Sequence, residues 1–243
     1  MLFRSHPAIV DTVRHRRGVF HSDVRDGLDL TDLWLGELIQ AMEDAGTLEN
    51  TNFILLSDHG QMDFARRLKF NLLLRRGGFV DVDANGAVTD WRAFAQSNGM
   101  SATVFVKDPM DRAAVLKYLE ELRDQGVWGI GAIRTEEQTR AEYGMYGDFA
   151  FLVETDGYTA FGDGWTEPIV NPVDLSDYRL GQATHGYEPE KGPQPVFVAA
   201  GPAFCPGARL EKATVLDEAP TIAAIFGETM PQAEGRCLKG LLK

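Results

Sequence analysis

One short apolar run, ending in two residue types that ligate metals, constrains this chain most. Residues Phe53–Leu56 are consecutively apolar, and Ser57, Asp58, His59 and Gly60 follow them directly. Such runs are typical of parallel strands buried in open α/β sheets, which carry their chemistry at the carboxyl ends of the strands. We therefore expect a buried parallel strand here, with Asp58 and His59 at the edge of a site.

The adjacent pair Asp58 and His59 needs a turn to act together, because neighbouring residues of a continuing strand point to opposite faces. Gly60 permits that turn. A carboxylate beside a neutral imidazole suits zinc and similar divalent ions. The alternative is a polar cluster at a sheet end whose hydrogen bonds are satisfied within the protein.

Two other segments carry the same residue types. Asp11 and His15 are four positions apart, so on a helical turn they lie on one face, and His185 lies in a loop next to Gly186. Three protein ligands are the usual set of a zinc site that keeps a position open for substrate, and these three residues would supply one. Taken separately, the Asp11–His15 pair also fits a surface hydrogen bond, and His185 fits an ordinary loop histidine.

The bulk composition excludes some classes of function. The chain has 243 residues and a net charge of −12, which argues against a nucleic-acid-binding surface, since such surfaces need clustered Lys and Arg. Its apolar runs are too short to span a bilayer. A small phosphorylated substrate remains compatible with the negative charge, because bound divalent cations reverse the local field.

The two ends of the sequence predict one α/β core. Apolar spacing predicts a helix over residues 28–45, before the strand at 53–56, which is the start of a doubly wound pattern. Near the other end, we expect a strand over 195–200 and a helix over 216–226.

The middle of the sequence predicts a smaller insertion. Residues 64–74 have helical spacing, and Asn85-Gly86 is a strong hairpin signal. Residues 102–153 read as a β-α-β-α-β stretch that forms a small sheet, and residues 157–184, rich in Gly, Pro, Asp and Thr, read as a long loop.

These motifs, in this order, resemble the metal motifs of the alkaline phosphatase superfamily, and its nucleotide pyrophosphatase/phosphodiesterase branch most closely. The three similar segments are Asp11 to Gly18, Ser57 to Gly60 and His185 to Pro189. The segment Val196–Phe204 resembles the strand after the last histidine of the family. The resemblance implies an alkaline-phosphatase-like layered sheet with flanking helices, present in part, plus a small inserted α+β cap. The metal-binding core would be residues 1–62 and 182–243, and residues 63–181 would form the cap and the long loop.

The resemblance also implies a divalent-metal phosphohydrolase that uses two zinc ions on phosphodiester or pyrophosphate bonds. One ion would be held by Asp11, His15 and His185. The second would be held by Asp58 and His59 together with an Asp from a more N-terminal motif. In that family, in-line attack by a Thr or Ser forms a covalent phosphoryl intermediate, which metal-activated water then hydrolyses.

The chain departs from the family pattern at its N-terminus. Asp11 lies too early to leave room for the nucleophile strand or the remaining metal ligand, so no nucleophile is assigned in this sequence. We expect the chain to correspond to the C-terminal part of a longer enzyme or to one half of a split protein. Missing central strands would leave a sheet edge exposed, which favours self-association or binding of a complementary N-terminal half.

Two other functions stay open at this point. The chain could be a non-catalytic remnant that binds metal or phosphate, or a sulfatase or phosphomutase cousin that shares the metal core. The first residues contain no apolar signal-peptide region, so a cytoplasmic location follows only if Met1 is the natural start.

Overall fold

The protein is described by a computed structural model over residues 3–177 and 181–243, and it is a mixed α/β structure. The helices are α1 (Ile9–Arg17), α2 (Ser22–Asp44), α3 (Phe70–Arg76), α4 (Arg112–Asp124), α5 (Glu136–Tyr143) and α6 (Glu218–Ile225). The strands are β1 (Phe53–Leu56), β2 (Met62–Asp63), β3 (Arg66–Lys69), β4 (Val80–Val82), β5 (Val88–Trp91), β6 (Ala93–Ser97), β7 (Ser101–Val106), β8 (Ile130–Thr135), β9 (Phe151–Thr155), β10 (Thr159–Gly162), β11 (Val170–Pro172), β12 (Ala183–Thr184) and β13 (Phe197–Ala200). Of the helices within the described ranges, none combines the length and apolar character that crossing a bilayer requires.

The chain divides into two compact units. The first unit consists of residues 1–28 and 61–193, and the second unit consists of residues 29–60 and 194–243. Helix α2 begins in the first unit and continues in the second. The division into residues 1–62 with 182–243 against residues 63–181 stays a prediction.

The first unit is built around a four-stranded antiparallel sheet in the order β6-β7-β9-β8. Helices α4 and α5 contact β8, and a continuous apolar core fills the space between sheet and helices. Several core side chains are fully excluded from solvent, among them Leu68, Val104, Val115, Leu119 and Val153. Burying a side chain of this size contributes roughly 1.5–3 kcal/mol, so this core is the main source of stability in the unit. The small sheet predicted for residues 102–153 is confirmed.

Local signals define several elements of the first unit. Helix α5 begins with a capping box, in which the Thr135 hydroxyl accepts the backbone N–H of Gln138 and the Gln138 side chain accepts that of Thr135. It ends at Gly144 in the left-handed conformation. Strands β4 and β5 form the hairpin that Asn85-Gly86 predicted, with Gly86 at φ 83°.

Two sequence predictions fail in the first unit because pairing between distant segments overrides local pattern. Residues 64–74 are not one helix, since residues 66–69 form β3, which pairs with β10 in parallel and β11 in antiparallel orientation, and helix α3 begins only at Phe70. Residues 157–184 are not one loop either. They contain β10, β11 and β12, although residues 178–180 lie outside the described part of the chain.

The second unit contains the two-stranded sheet β1-β13. The two strands are antiparallel, with Leu55 opposite Val198 and Leu56 opposite Phe197. The expectation of a buried parallel strand over residues 53–56 is therefore wrong. Leu55 is 47% exposed and Leu56 is 41% exposed, because β13 is the only strand that pairs with β1 among the described residues.

Candidate metal centre

Helix α1 carries the first two candidate ligands in the first unit. Asp11 lies in its first turn and His15 in its last turn, and their side chains meet with Asp11 Oδ1 3.4 Å from His15 Nε2. This is the contact expected for residues four apart on one helix face. Both side chains are only partly buried, so an ion could reach them from solvent.

The third candidate ligand, His185, comes from a distant part of the chain. It directly follows β12, which pairs with β2 so that Thr184 lies opposite Met62. The His185 ring lies 5.2 Å from the His15 ring between centroids, at an interplanar angle of 72°. The ligand atoms of Asp11, His15 and His185 all lie within 4.8 Å of one another, and within the described ranges no other group of three such residues is as close.

A hydrogen bond fixes the tautomer of His15. Its Nδ1 lies 2.9 Å from the carbonyl oxygen of Ala183. A carbonyl oxygen only accepts, so Nδ1 donates, and in the neutral imidazole Nε2, on the side of Asp11, then keeps its lone pair. A ring nitrogen that donates to a backbone carbonyl while the other faces the metal is the usual arrangement of ligating histidines.

Close backbone approach holds the segment around His185. The carbonyl oxygen of His185 accepts the backbone N–H of Met100 at 2.8 Å. A Cβ atom at Gly186 would lie 1.8 Å from the carbonyl oxygen of Asn98, and Gly186 has φ 79°. Only glycine fits both the space and the backbone conformation, so position 186 fixes where the chain leaves His185.

The exit of α1 is held by a carboxylate that sequence analysis did not single out. Asp63, on β2, accepts the backbone N–H of Val19 at 2.8 Å through Oδ1. A Cβ atom at Gly18 would lie 2.9 Å from the same oxygen. Asp63 therefore ties the end of the helix that carries Asp11 and His15 to the strand that pairs with β12.

A buried ionic network follows His185 along the chain. Glu154, on β9, is 1% exposed, and its carboxylate accepts the backbone N–H of Glu188 at 3.0 Å and lies 3.4 Å from Lys191 Nζ. Arg134 pairs with Glu188 in the same network. Burial raises the pKa of Glu154, while the Glu188 N–H and the Lys191 ammonium act in the opposite direction. The network holds residues 188–191 against the four-stranded sheet.

Tyr187, two residues after His185, is held as a neutral donor. Burial raises its pKa, with the positive charge of Arg14 acting in the opposite direction. Its hydroxyl donates to the carbonyl oxygen of Pro193 at 2.7 Å. The segment that carries His185 is thus braced on both sides of the histidine.

The other predicted pair, Asp58 and His59, lies in the second unit after β1. His59 Nε2 lies 3.7 Å from Asp58 Oδ1, and His59 Nδ1 lies 3.1 Å from the carbonyl oxygen of Gly60. The Asp58 side chain is 73% exposed and accessible to an ion. Ligation of a second ion by Asp58 and His59 stays a prediction.

The site also contains one polar residue that the sequence patterns missed. Gln61 is 4% exposed, and its side-chain amide donates to Asp11 Oδ1 at 3.0 Å. The only signal in the sequence was a polar residue directly after Gly60. Together, the described groups form a set of one carboxylate and two imidazoles, which suits a divalent ion of the zinc type.

Comparison with known proteins agrees with this fold. The sequence matches the family profile described as Type I phosphodiesterase / nucleotide pyrophosphatase over residues 4–188. No curated protein sequence matches the chain. The fold is that of the alkaline phosphatase superfamily. The chain belongs to the Type I phosphodiesterase / nucleotide pyrophosphatase family.

Solved structures of ectonucleotide pyrophosphatase / phosphodiesterase 5 resemble this chain. The murine protein has a TM-score of 0.70 at 19% identity, and the human protein has a TM-score of 0.68 at 18% identity. An inactive threonine-to-alanine variant of the murine protein, in complex with AMP, has a TM-score of 0.70 at 18% identity. Each similarity covers 96% of this chain and 56% of the relative, so this chain spans little more than half the length of these relatives.

Proposed function

We propose that this chain carries the metal-binding part of a phosphohydrolase that acts on phosphodiester or pyrophosphate bonds. The observation that carries the proposal is the convergence of Asp11, His15 and His185, whose ligand atoms lie within 4.8 Å of one another. The family to which the chain belongs supports the same reaction class. The ion is zinc, because two imidazole nitrogens and one carboxylate oxygen match the ligands of open zinc sites.

The protein groups of this site have distinct tasks. Asp11, His15 and His185 would hold the ion, which would supply positive charge for polarising a phosphoryl oxygen. The Ala183 carbonyl keeps the proton of His15 on Nδ1, so that Nε2 remains a ligand. Gly186 and the Met100 N–H fix the backbone on both sides of the His185 side chain, which keeps the ligand spacing constant.

The second metal site is a separate part of the proposal. Asp58 and His59 would contribute two ligands to another zinc ion, as the family resemblance implies. The third ligand and the Thr or Ser nucleophile would come from outside the sequence described here. A non-catalytic remnant that binds metal without turnover is the competing function.

We further propose that the sheet β1-β13 binds a complementary polypeptide half that supplies further strands. Leu55 and Val198 share one face of this sheet and are 47% and 59% exposed, and Leu56, on the other face, is 41% exposed. Exposed apolar strands with unpaired edges are templates for strand addition. The relatives are long enough to contain such a half, since the similarity covers only 56% of their length.

Sedimentation of the chain alone at rising concentration tests the proposed partner surface. With the complementary half absent, we expect self-association through this sheet, and we expect the double variant Leu55→Ser with Val198→Ser to weaken it. A chain that stays monomeric and binds no dye specific for apolar surface would contradict the proposal.

Zinc stoichiometry tests the proposed metal site. After chelation, reloading and desalting, we expect about one zinc per chain, lost in Asp11→Ala and in His185→Ala because each removes one of three ligands. His6→Ala is the matched control, since His6 is an exposed histidine outside the group, and it should keep its zinc.

Other stoichiometries have defined meanings. Two zinc ions per chain, one of them lost in Asp58→Ala, would mean that the second site is complete without further ligands. No bound zinc, in a chain whose circular dichroism shows that it is folded, would contradict the proposal. Turnover of a phosphodiester by the zinc-loaded chain no faster than by Asp58→Ala would favour the remnant.

A further inference from the structure

A buried amide lies directly behind the Asp11 carboxylate. The Nε2 of Gln61 donates to Asp11 Oδ1 at 3.0 Å and lies 3.4 Å from the carbonyl oxygen of Asp11. Gln61 is 4% exposed, whereas the Asp11 side chain is 42% exposed. The amide is therefore a buried partner of a carboxylate that is itself partly exposed to solvent.

Packing alone does not explain a glutamine in this position. Burying an amide is unfavourable unless it finds hydrogen-bond partners, and the partner here is a carboxylate, which makes the bond charge-assisted. An apolar side chain of the same size would fill the same space without this requirement. The hydrogen bond to Asp11 is thus the property that distinguishes glutamine from an apolar residue at position 61.

The backbone connects Gln61 to the third candidate ligand as well. Gln61 immediately precedes β2, and β2 pairs with β12, whose last residue, Thr184, precedes His185. The same strand pairing therefore sets the position of the amide behind Asp11 and of the backbone that carries His185. A residue placed in this way can hold the carboxylate at a fixed distance from His185.

We propose that Gln61 is a positioning residue that orients the Asp11 carboxylate towards the point shared by His15 Nε2 and His185. A carboxylate on a short side chain can turn about its last torsion, and a hydrogen bond to one of its oxygens restricts that rotation. Hydrogen-bond partners of metal ligands commonly change metal affinity 10- to 100-fold when they are removed. The inference rests on the proposed function, because it needs a divalent ion at this group.

Titration with Co²⁺ and Zn²⁺ tests the role of Gln61. Co²⁺ accepts the same ligands as zinc, and its visible absorption reports on their geometry. Gln61→Met keeps the volume and removes the donor, so we expect roughly 10- to 100-fold weaker binding of both ions and a changed Co²⁺ spectrum. If circular dichroism shows that Gln61→Met does not fold, Gln61→Asn, whose amide is one methylene too short, takes its place with the same expectation.

Asn71 provides the matched control. It is another buried amide of the first unit, 2% exposed, and it exchanges hydrogen bonds with the backbone of Ala95 at 2.8 and 2.7 Å. Asn71→Ala should lower stability, yet leave the Co²⁺ spectrum and both affinities unchanged. A merely structural role for Gln61 predicts the same behaviour for the two variants.

The outcomes separate this inference from the proposed function. If the wild type binds Co²⁺, Asp11→Ala does not, and Gln61→Met binds within twofold of the wild type with the same spectrum, the positioning role is overturned and the metal site stands. If the folded wild type binds neither ion, the proposed function and this inference are both overturned.

Discussion

The two units of the molecule bury their strands to very different degrees. In the first unit, Val104 and Val153 lie on adjacent strands of a four-stranded sheet and are fully buried. In the second unit, Leu55 and Val198 face each other across a two-stranded sheet and are 47% and 59% exposed. The residues are equally apolar, so composition does not account for the difference.

The number of paired strands and covering helices accounts for this difference in burial. The four-stranded sheet has interior strands and is covered by helices that share its core. Two paired strands have no interior strand, and an isolated pair is at best marginally stable in water. An apolar run predicts that burial would stabilise the strand. Whether the strand is buried depends on the neighbouring strands and helices.

The strongest test of this difference between the units is to shorten one leucine in each of them. Leu119→Ala leaves a cavity in the core of the first unit and should reduce the free energy of unfolding by about 2–5 kcal/mol. Leu55→Ala, at an exposed position of the second unit, should cost less than about 1 kcal/mol. Urea unfolding of both variants, followed by circular dichroism, measures the two losses.

A similar loss in the two leucine variants, at protein concentrations low enough to keep the chain monomeric, would contradict the exposed position of Leu55. A similar loss only at higher concentrations would instead reflect the self-association proposed for the β1-β13 sheet. The wild type at several protein concentrations is the control, since the stability of a self-associated chain depends on concentration.

A smaller effect contrasts one buried carboxyl group from each unit. Burial raises the pKa of Glu154 in the first unit. In the second unit, the backbone N–H of Arg236, followed by the N–H and hydroxyl of Thr214, lowers the pKa of Asp217 against the effect of burial. The two groups should therefore give opposite contributions to the pH dependence of stability.

The sign follows from which state binds more protons. Glu154 stabilises the fold when the pH is below the pKa that the group has in the unfolded chain. This contribution is lost as the pH rises through the higher pKa of Glu154 in the folded protein. Asp217 stabilises the fold when the pH is above the pKa that the group has in the unfolded chain. This contribution is lost as the pH falls through the lower pKa of Asp217 in the folded protein. We expect the stability of Glu154→Gln relative to wild type to rise with pH, and that of Asp217→Asn to rise as the pH falls. Urea unfolding between about pH 3 and pH 7 checks both slopes, and slopes of the same sign would contradict the assignment.

The fold was predictable where local signals decide it. Helix α5 lies within the β-α-β-α-β stretch predicted for residues 102–153, and Thr135, Gln138 and Gly144 define both of its ends within the segment itself. Strand β3 was missed because the apolar spacing around it also suits a helix, and its pairing with β10 and β11 involves residues about 90 or more positions away. Long-range pairing of this kind leaves no mark on the sequence of the strand.

In the candidate site, too, features set by local sequence were predictable and features set by long-range contacts were not. The Asp11–His15 pair was predictable from helical spacing, because both side chains belong to one element. His185 was grouped with the pair because an open zinc site needs three protein ligands, and the family resemblance implied the same set. Nothing local to Thr184 or Gly186 points to α1. Gln61 was not predicted at all, because its role depends on one hydrogen bond across the unit.

The separation of the candidate ligands along the chain would give a bound ion a structural role. His15 and Ala183, which share a hydrogen bond, are 168 positions apart, and His185 lies just beyond Ala183. An ion held by Asp11, His15 and His185 would close this loop like a removable cross-link. The entropic cost of closing a long loop grows only slowly with the length of the loop. The sheet within the loop can therefore form first, and binding of the ion can then connect the two ends of the loop.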